Sequence, residues 1–265
     1  MRSLAIHQIT FLPGGPAGLI EFASQAELQS VCLFTATPIH PDGTPMFPVV
    51  SPAEKIEMRS RLSNRGITVT NAEYFLIAPD IEVRDYRVPL ELAAELGAKR
   101  AVTHIHEPQS RRAEDQLGQL CETAADLGLD IGLEFTGFAK GCDSLKRAVA
   151  LHGKMAQDNL FIAVDALHLF RTGGTIEALA AIEPKTIGYA QICDGLDLRV
   201  TEDYLEEAMS RMVPGEGIFP LPEFLGVLGE HVDVDIEVPC TAMPPDCTSE
   251  KWAMLAVAAS KNLLR

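Results

Sequence analysis

No stretch of this chain is long and apolar enough to span a bilayer, and the opening Met1-Arg2-Ser3-Leu4-Ala5-Ile6-His7 lacks the extended apolar run of a secretory signal. Basic residues are scarce: 22 Lys and Arg stand against 37 Asp and Glu, a formal net charge of −15. That balance argues against a nucleic-acid partner, whose phosphates need a basic footprint, and disfavours an anionic membrane surface. The six cysteines, Cys32, Cys121, Cys142, Cys193, Cys240 and Cys247, include no Cys-x-x-Cys pair. A chain of 265 residues needs no staples, so they read as reduced core or loop residues of a cytoplasmic protein. The glycines of Pro13-Gly14-Gly15-Pro16-Ala17-Gly18 are wrongly spaced for a dinucleotide-binding turn, which counts against a doubly wound open sheet.

What is present is a regular alternation of short β-branched runs and longer helical ones. At 47% apolar and 22% charged, the composition can bury a sizeable core. The runs predict strands over 4–10, 31–36, 67–71, 101–105, 130–135, 160–165, 186–192 and 232–238. Between and after them, helices are expected over 17–28, 51–64, 83–96, 111–127, 144–155, 175–182, 221–228 and 249–263. Ser51-Pro52-Ala53-Glu54 has the form of a capped helix start, and Gly97 and Gly128 of helix stops. The segment 196–220 is the longest connection, with room for a short helix, and the Pro- and Gly-rich 40–48 stretch is either a lid or an ordinary loop. Eight β/α units with no polar linker make one domain over 1–265, a (β/α)₈ TIM barrel.

In such a barrel the chemistry lies at the C-terminal ends of the strands. Read in turn, those ends give Glu134, Asp165, Gln191 and Glu237 on the fifth to eighth strands, neighbours ~4.8 Å apart. A carboxylate ending an apolar run is costly without a partner. Four polar ends on consecutive strands are hard to explain as separate caps, and together they form an all-oxygen site suited to Mg²⁺, Mn²⁺ or Ca²⁺. Side-chain alternation puts Gly132, Ala163, Tyr189 and Asp235 one layer deeper, two of them small enough to leave room beneath the site. Asp235 has no evident role in this pattern.

Leu133-Glu134, Asp165-Ala166-Leu167-His168 with Gly173-Gly174, Gln191-Ile192-Cys193-Asp194, Arg211-Met212-Val213-Pro214-Gly215-Glu216-Gly217 and Ile236-Glu237-Val238 together resemble the xylose-isomerase-like TIM-barrel superfamily of sugar-phosphate isomerases and epimerases. The resemblance covers essentially the whole chain. It implies that Glu134, Asp165 and Glu237 bind one divalent metal, completed by a strand-seven residue that is commonly His and here is Gln191. A carbonyl oxygen in that place favours Mg²⁺ or Mn²⁺, with Zn²⁺ and Co²⁺ less favoured. Gln191 with Asp194 and the Arg-x-x-Pro-Gly-x-Gly segment looks like the branch holding bacterial 3-dehydroshikimate dehydratases. The histidine-rich AP endonucleases of the superfamily are set aside, since this chain has seven His and strong negative charge.

The resemblance implies a reaction that starts with proton abstraction α to a carbonyl, with Glu134 and Glu237 as the acid/base pair. The leading expectation is an isomerase or epimerase of a small polyhydroxy carbonyl compound. A 3-dehydroshikimate-type lyase and a non-catalytic sugar- or partner-binding barrel are the alternatives. His168, just past the sixth strand, is expected either to reach substrate oxygens or to hold Asp165. Arg171 is a candidate for a substrate carboxylate or phosphate, and Asn71 and Glu73 for substrate hydroxyls. His104 and His106 share a face by parity, with Glu107 beyond them, and His104 is a candidate substrate contact. Arg211, ahead of a helix, is a candidate anion ligand, and Trp252 reads as packing. Members of the family often form homodimers, although no stripe in this sequence argues for one.

Overall fold

The computed structural model describes residues 2–239, 241 and 243–265; Cys240, expected to be a reduced core or loop residue, lies outside them. Eight strands pair in chain order, all parallel, and the last closes on the first. They are β1 (Leu4–His7), β2 (Ser30–Phe34), β3 (Thr68–Glu73), β4 (Arg100–His104), β5 (Asp130–Glu134), β6 (Leu160–Asp165), β7 (Ile187–Ile192) and β8 (Asp233–Ile236). The intervening helices are α1 (Gly15–Gln25), α2 (Lys55–Arg65), α3 (Arg87–Glu95), α4 (Ser110–Asp126), α5 (Leu145–Met155), α6 (Ala166–Arg171), α7 (Ile176–Ala180), α8 (Leu205–Ala208), α9 (Leu221–Val227) and α10 (Ser249–Leu263). Among the described residues no helix is long and apolar enough to cross a membrane, and the described cysteines are all free thiols.

Local signals in the chain account for most boundaries. Before α2, the Glu54 carboxylate accepts from the Ser51 N–H and hydroxyl, closing a capping box around a short 3₁₀ turn. Gly97 and Gly128 end their helices with positive φ, which a side chain would disfavour. Two strands, β1 and β8, fall three residues short of their apolar runs. β1 stops at His7 because the imidazole accepts the Ile9 N–H and opens a 3₁₀ turn over Gln8–Thr10. β8 stops at Ile236, where the Thr10 hydroxyl donates to the Ile236 carbonyl and accepts from the Val238 N–H in place of backbone pairing. The 196–220 connection does hold a short helix, α8.

Alternation divides the packing into two cores. Val232, Val234, Ile236 and Val238 face outward into the large cluster shared with the helices. Inside the barrel, Val102, Ala163 and Tyr189 form a separate small cluster. The room that Gly132 and Ala163 leave is therefore not empty: the Tyr189 ring lies across it, and a Cβ on Gly132 would stand 2.9 Å from its Cε1. Below the strand ends, Asp235 accepts from Asn71 Nδ2 at 2.8 Å, and Arg100 donates to Asn71 Oδ1 at 3.2 Å. Asn71 is thus committed to the barrel interior instead of to substrate hydroxyls.

The Gly132→Val substitution drives a branched side chain into Tyr189 and should lower stability by about 1–3 kcal/mol. Urea unfolding checks this as a lower midpoint at unchanged m-value.

Candidate active site

The register staggers the strand ends. Glu134 pairs with Ala163, Asp165 with Gln191, and Gln191 with Asp235, so Glu237 stands two residues beyond the Asp235 level. Strand tilt of about 36° in such barrels turns this stagger into one floor. Glu134, Asp165, Gln191 and Glu237 are all buried there, beneath a cavity of about 460 Å³.

Arg211 organises that floor. Its Nη1 donates to Asp165 Oδ2 at 2.6 Å and its Nη2 to Glu237 Oε1 at 2.9 Å, with Nε on the Ala208 carbonyl at 2.9 Å. The expectation of an anion-binding helix start at 211–217 is therefore corrected: the guanidinium turns inward and its charge is matched by protein carboxylates. The motif around it explains the delivery. Asp194 accepts the N–H groups of Gly195, Gly215 and Phe219 at 2.8–3.0 Å, folding the segment back on the end of β7. A Cβ on Gly217 would lie 2.3 Å from Asp194 Oδ1, so only glycine fits there.

Gln191 Nε2 donates to Glu237 Oε2, leaving Gln191 Oε1 buried and without a partner. Glu134 receives His104 Nε2 at 2.9 Å and faces His168 Nε2 at 3.6 Å. Burial, then the charges of Glu73 and Asp165, push the Glu134 pKa well up. Burial likewise raises Glu237 to about 8, against the pull of Arg211. Asp235 rises to about 7, chiefly from burial, and its Oδ1 has no hydrogen-bond partner.

His168 lies in the first turn of α6, not in a loop: its N–H donates to Asp165 Oδ1, which caps the helix. Tyr204 accepts the Gly137 N–H, so its hydroxyl proton is free to donate to His168 Nδ1 at 3.1 Å. That leaves the Nε2 proton facing Glu134. Burial, then Arg211, hold the His168 pKa well below its ordinary value, so the ring is neutral. Both functions expected of His168 are thus compatible, since it is tied to Asp165 and lines the cavity. His104 and His106 share a face, as parity required, with rings stacked 6.4 Å apart, and both line the cavity. Glu107 instead pairs with Arg112 at 3.0 Å, away from the floor.

Arg171 does not line the cavity. Its Nε donates to Glu207 Oε2 at 2.7 Å, its Nη1 to the Arg199 carbonyl, and its guanidinium lies over Tyr204. It braces the β7–α8 segment, which corrects the expectation of a substrate carboxylate or phosphate ligand.

Glu73, expected to meet substrate hydroxyls, does line the cavity, but the sequence reading missed the polar group around it on β1–β3. The Glu73 carboxylate accepts from His7 Nε2 at 2.7 Å, from Cys32 Sγ at 3.3 Å and from the Tyr189 hydroxyl at 3.4 Å. His7 ends β1 and is the register partner of Cys32 in the middle of β2, so strand-end position could have pointed to His7 but not to Cys32. Donor atoms of His7, Cys32 and Glu73 lie within 4.8 Å of one another. Two sets of side chains at this floor thus have the donor chemistry to hold a divalent ion. They are not equally ready. Burial alone would lower the His7 pKa, but Glu73, Glu237 and Asp235 outweigh it, while burial raises the Cys32 thiol. The Ile9 N–H on Nδ1 also leaves the Nε2 proton directed at Glu73. An ion there would have to displace both protons. The β5–β8 set has three carboxylates against one guanidinium and a partnerless carbonyl oxygen, a hard-oxygen donor set in excess of charge, but Arg211 stands between Asp165 and Glu237, and among the described residues only the His7, Cys32 and Glu73 donors converge within 4.8 Å.

Three comparisons bear on this geometry. A family model described as xylose isomerase-like TIM barrel matches residues 20–255. A segment of 112 residues, 42% of this chain, is 32% identical to a 3-dehydroshikimate dehydratase of Pseudomonas aeruginosa, but it spans only 17% of that protein. Among solved structures, the IOLI protein with a bound zinc atom aligns over 100% of this chain and 98% of its own, with TM-score 0.80 and 19% identity. D-psicose 3-epimerase from Clostridium cellulolyticum H10, solved with D-tagatose, aligns over 100% and 98%, with TM-score 0.75 and 15% identity. At those identities the structures speak for the shared fold.

Arg211→Leu leaves Asp165 and Glu237 buried without their cation and should cost about 3–5 kcal/mol of stability in urea unfolding. A pH dependence follows from the raised carboxyls. The folded protein keeps protons on Glu237 and Asp235 that unfolded carboxyls release near pH 4, so their contribution to stability falls as pH rises toward about 8. Below about pH 6.5 the neutral His104 and His106, lowered by burial to about 4, act in the opposite sense. In chelator-treated protein, stability should therefore fall from pH about 6.5 to about 8, and a saturating divalent ion should flatten that fall.

Proposed function

We propose that this chain, which belongs to the xylose isomerase-like TIM-barrel family, is a divalent-metal-dependent isomerase or epimerase of an uncharged hydroxy-carbonyl compound. The observation that carries the choice of substrate charge is Arg211. It is the one Arg or Lys among the described residues lining the cavity, and Asp165 and Glu237 take up its charge. A carboxylate or phosphate on the substrate would find no free cationic side chain there. An uncharged substrate needs none.

Glu134, Asp165, Gln191 and Glu237 are the residues that would hold the ion. Once bound, it would supply Lewis-acid polarisation of the substrate carbonyl and stabilise the negative charge that proton loss creates. The chain's own groups divide the remaining work. Glu134 and Glu237 come from β5 and β8, three strands apart around the ring, so they approach a bound substrate from different sides. That arrangement suits removing a proton from carbon on one side and returning one on the other. The neutral His168, fixed by Tyr204, presents Nε2–H as a donor to a substrate oxygen, and His104 orients Glu134. Connections beyond the strand ends, carrying Met46, Phe47 and Leu205, line the mouth of the cavity, where a bound substrate would displace water from them.

A second reading, a dehydratase of 3-dehydroshikimate, is favoured by Gln191 and by the partial similarity to the Pseudomonas protein. It shares the first proton abstraction and differs in the product. The test is to add Mn²⁺ or Mg²⁺ to the chelated protein and follow exchange of the α proton of ketoses for solvent deuterium by NMR. Exchange should depend on the metal and fall by about 10²–10⁴ in Glu134→Gln and Glu237→Gln. An aromatic absorbance appearing from 3-dehydroshikimate would instead establish the lyase. If purified protein holds no divalent ion and neither metal stabilises it, the metal-dependent reading fails and a non-catalytic binding barrel takes its place.

A further inference from the structure

We infer that the substrate carries its oxygens at one end only and ends in an apolar substituent of about the size of an aromatic ring, held by a subsite built from the cavity walls. This rests on the isomerase or epimerase reading for the identity of the reacting end, and it adds the class of the other end. The polar groups of the cavity are concentrated at the strand ends, on His7, Glu73, His104, Glu134, Arg211 and Glu237, with Tyr74, His106 and His168 beside them. The apolar lining is formed by Phe34 at the end of β2 and by Met46, Phe47, Leu76, Phe138 and Leu205 on the connections beyond the strands. No Ser, Thr, Asn, Gln, Asp or Lys is among the described lining residues.

A polyol chain extending from the floor would need a partner for each hydroxyl it takes out of water. This wall offers none. Phe34 ends β2, and the other apolar residues arrive from four connections: Met46 and Phe47 after β2, Leu76 after β3, Phe138 after β5, and Leu205 from α8 after β7. Four connections supplying the same chemistry to one cavity point to a selected subsite, not to one stray apolar loop. The wall is also shaped. Phe47 stacks on Phe34 with ring centroids 4.8 Å apart and planes at 11°, presenting a flat apolar surface. Opposite in chemistry to the floor yet joined to it, Phe138 packs edge-on against His168 at 5.6 Å. Met46 and Leu205 line the cavity while 44% and 57% exposed, so apolar surface at the mouth stays in water until a ligand covers it. A volume of about 460 Å³ falls in the range of sites that enclose ligands larger than a simple ketose.

The experiment uses the full chain supplied with Mn²⁺ and three ketones that share a hydroxymethyl ketone head: hydroxyacetone, erythrulose and phenacyl alcohol. Their remaining substituents are a methyl group, a polyol and a phenyl ring. Binding is read by calorimetry and reaction by deuterium exchange, in which the carbinol C–H proton passes to a carboxylate and a solvent deuteron returns to the same carbon. Phenacyl alcohol is expected to bind at least about tenfold more tightly than erythrulose. Leu205→Gln, at an exposed position, should shrink that gap at least about threefold, the direction expected when a hydrophobic contact is removed. Erythrulose binding as tightly or more tightly overturns the apolar subsite, and its exchange would leave the proposed reaction standing. Tight phenacyl alcohol binding that Leu205→Gln weakens, with no exchange of any ketone, supports the subsite and rejects the reaction. If none of the three binds, both are rejected.

Discussion

The arrangement at the barrel floor depends on one buried cation. Arg211 stands between Asp165 and Glu237, with its guanidinium almost wholly removed from water. Burying three carboxylates, Glu134 among them, at the ends of β5, β6 and β8 would be prohibitive in a low-dielectric interior without compensation. One guanidinium relieves only part of that charge. The rest shows as raised carboxyl pKa values and as an unpartnered carbonyl oxygen on Gln191, and it is what a divalent ion would neutralise. The guanidinium stays in place because Asp194 gathers the N–H groups of Gly195, Gly215 and Phe219 and fixes the returning segment. A motif that looks like a loop signature is the mechanical support of the ion pair.

Alternation along the strands separates the chemistry by depth and by side. Outward residues pack on the helices, and inward ones form a small plug of Val102, Ala163 and Tyr189 with polar ends above it. On β1–β3 a carboxylate is held by three donors, His7, Cys32 and Tyr189; on β5–β8 carboxylates surround Arg211. Both groups face the same cavity, one rich in donors already spent and the other rich in charge not yet matched. Beyond the strand ends the loops turn apolar, so the site changes from polar to apolar over its own depth.

Particular residues show how far the chain could be read directly. Asp165 at the end of an apolar run is legible because a buried carboxylate needs a reason, and parity correctly placed His104 and His106 together. The role of Arg211 is not legible in the sequence, where it only precedes a helix, because its partners are 46 residues upstream and 26 downstream. Arg171 and Asn71 failed in the same way: each is spent on residues brought near only by the closed sheet. Tyr204 and His7 carried no motif. His7 was visible in principle, since it ends the first strand as Asp165 ends the sixth, but an isolated imidazole gives no cost argument comparable to a buried carboxylate.

Periodicity and strand-end polarity are properties of neighbouring residues, set by backbone geometry, and so the sequence by itself determined eight β/α units, one barrel and the set Glu134, Asp165, Gln191 and Glu237. Charge compensation is a property of distance in space. Which carboxylates Arg211 would neutralise, that no other Arg or Lys lines the described cavity, and that aromatic and aliphatic side chains from four connections would meet above the floor were decided only when the sheet closed and β8 came to lie beside β1.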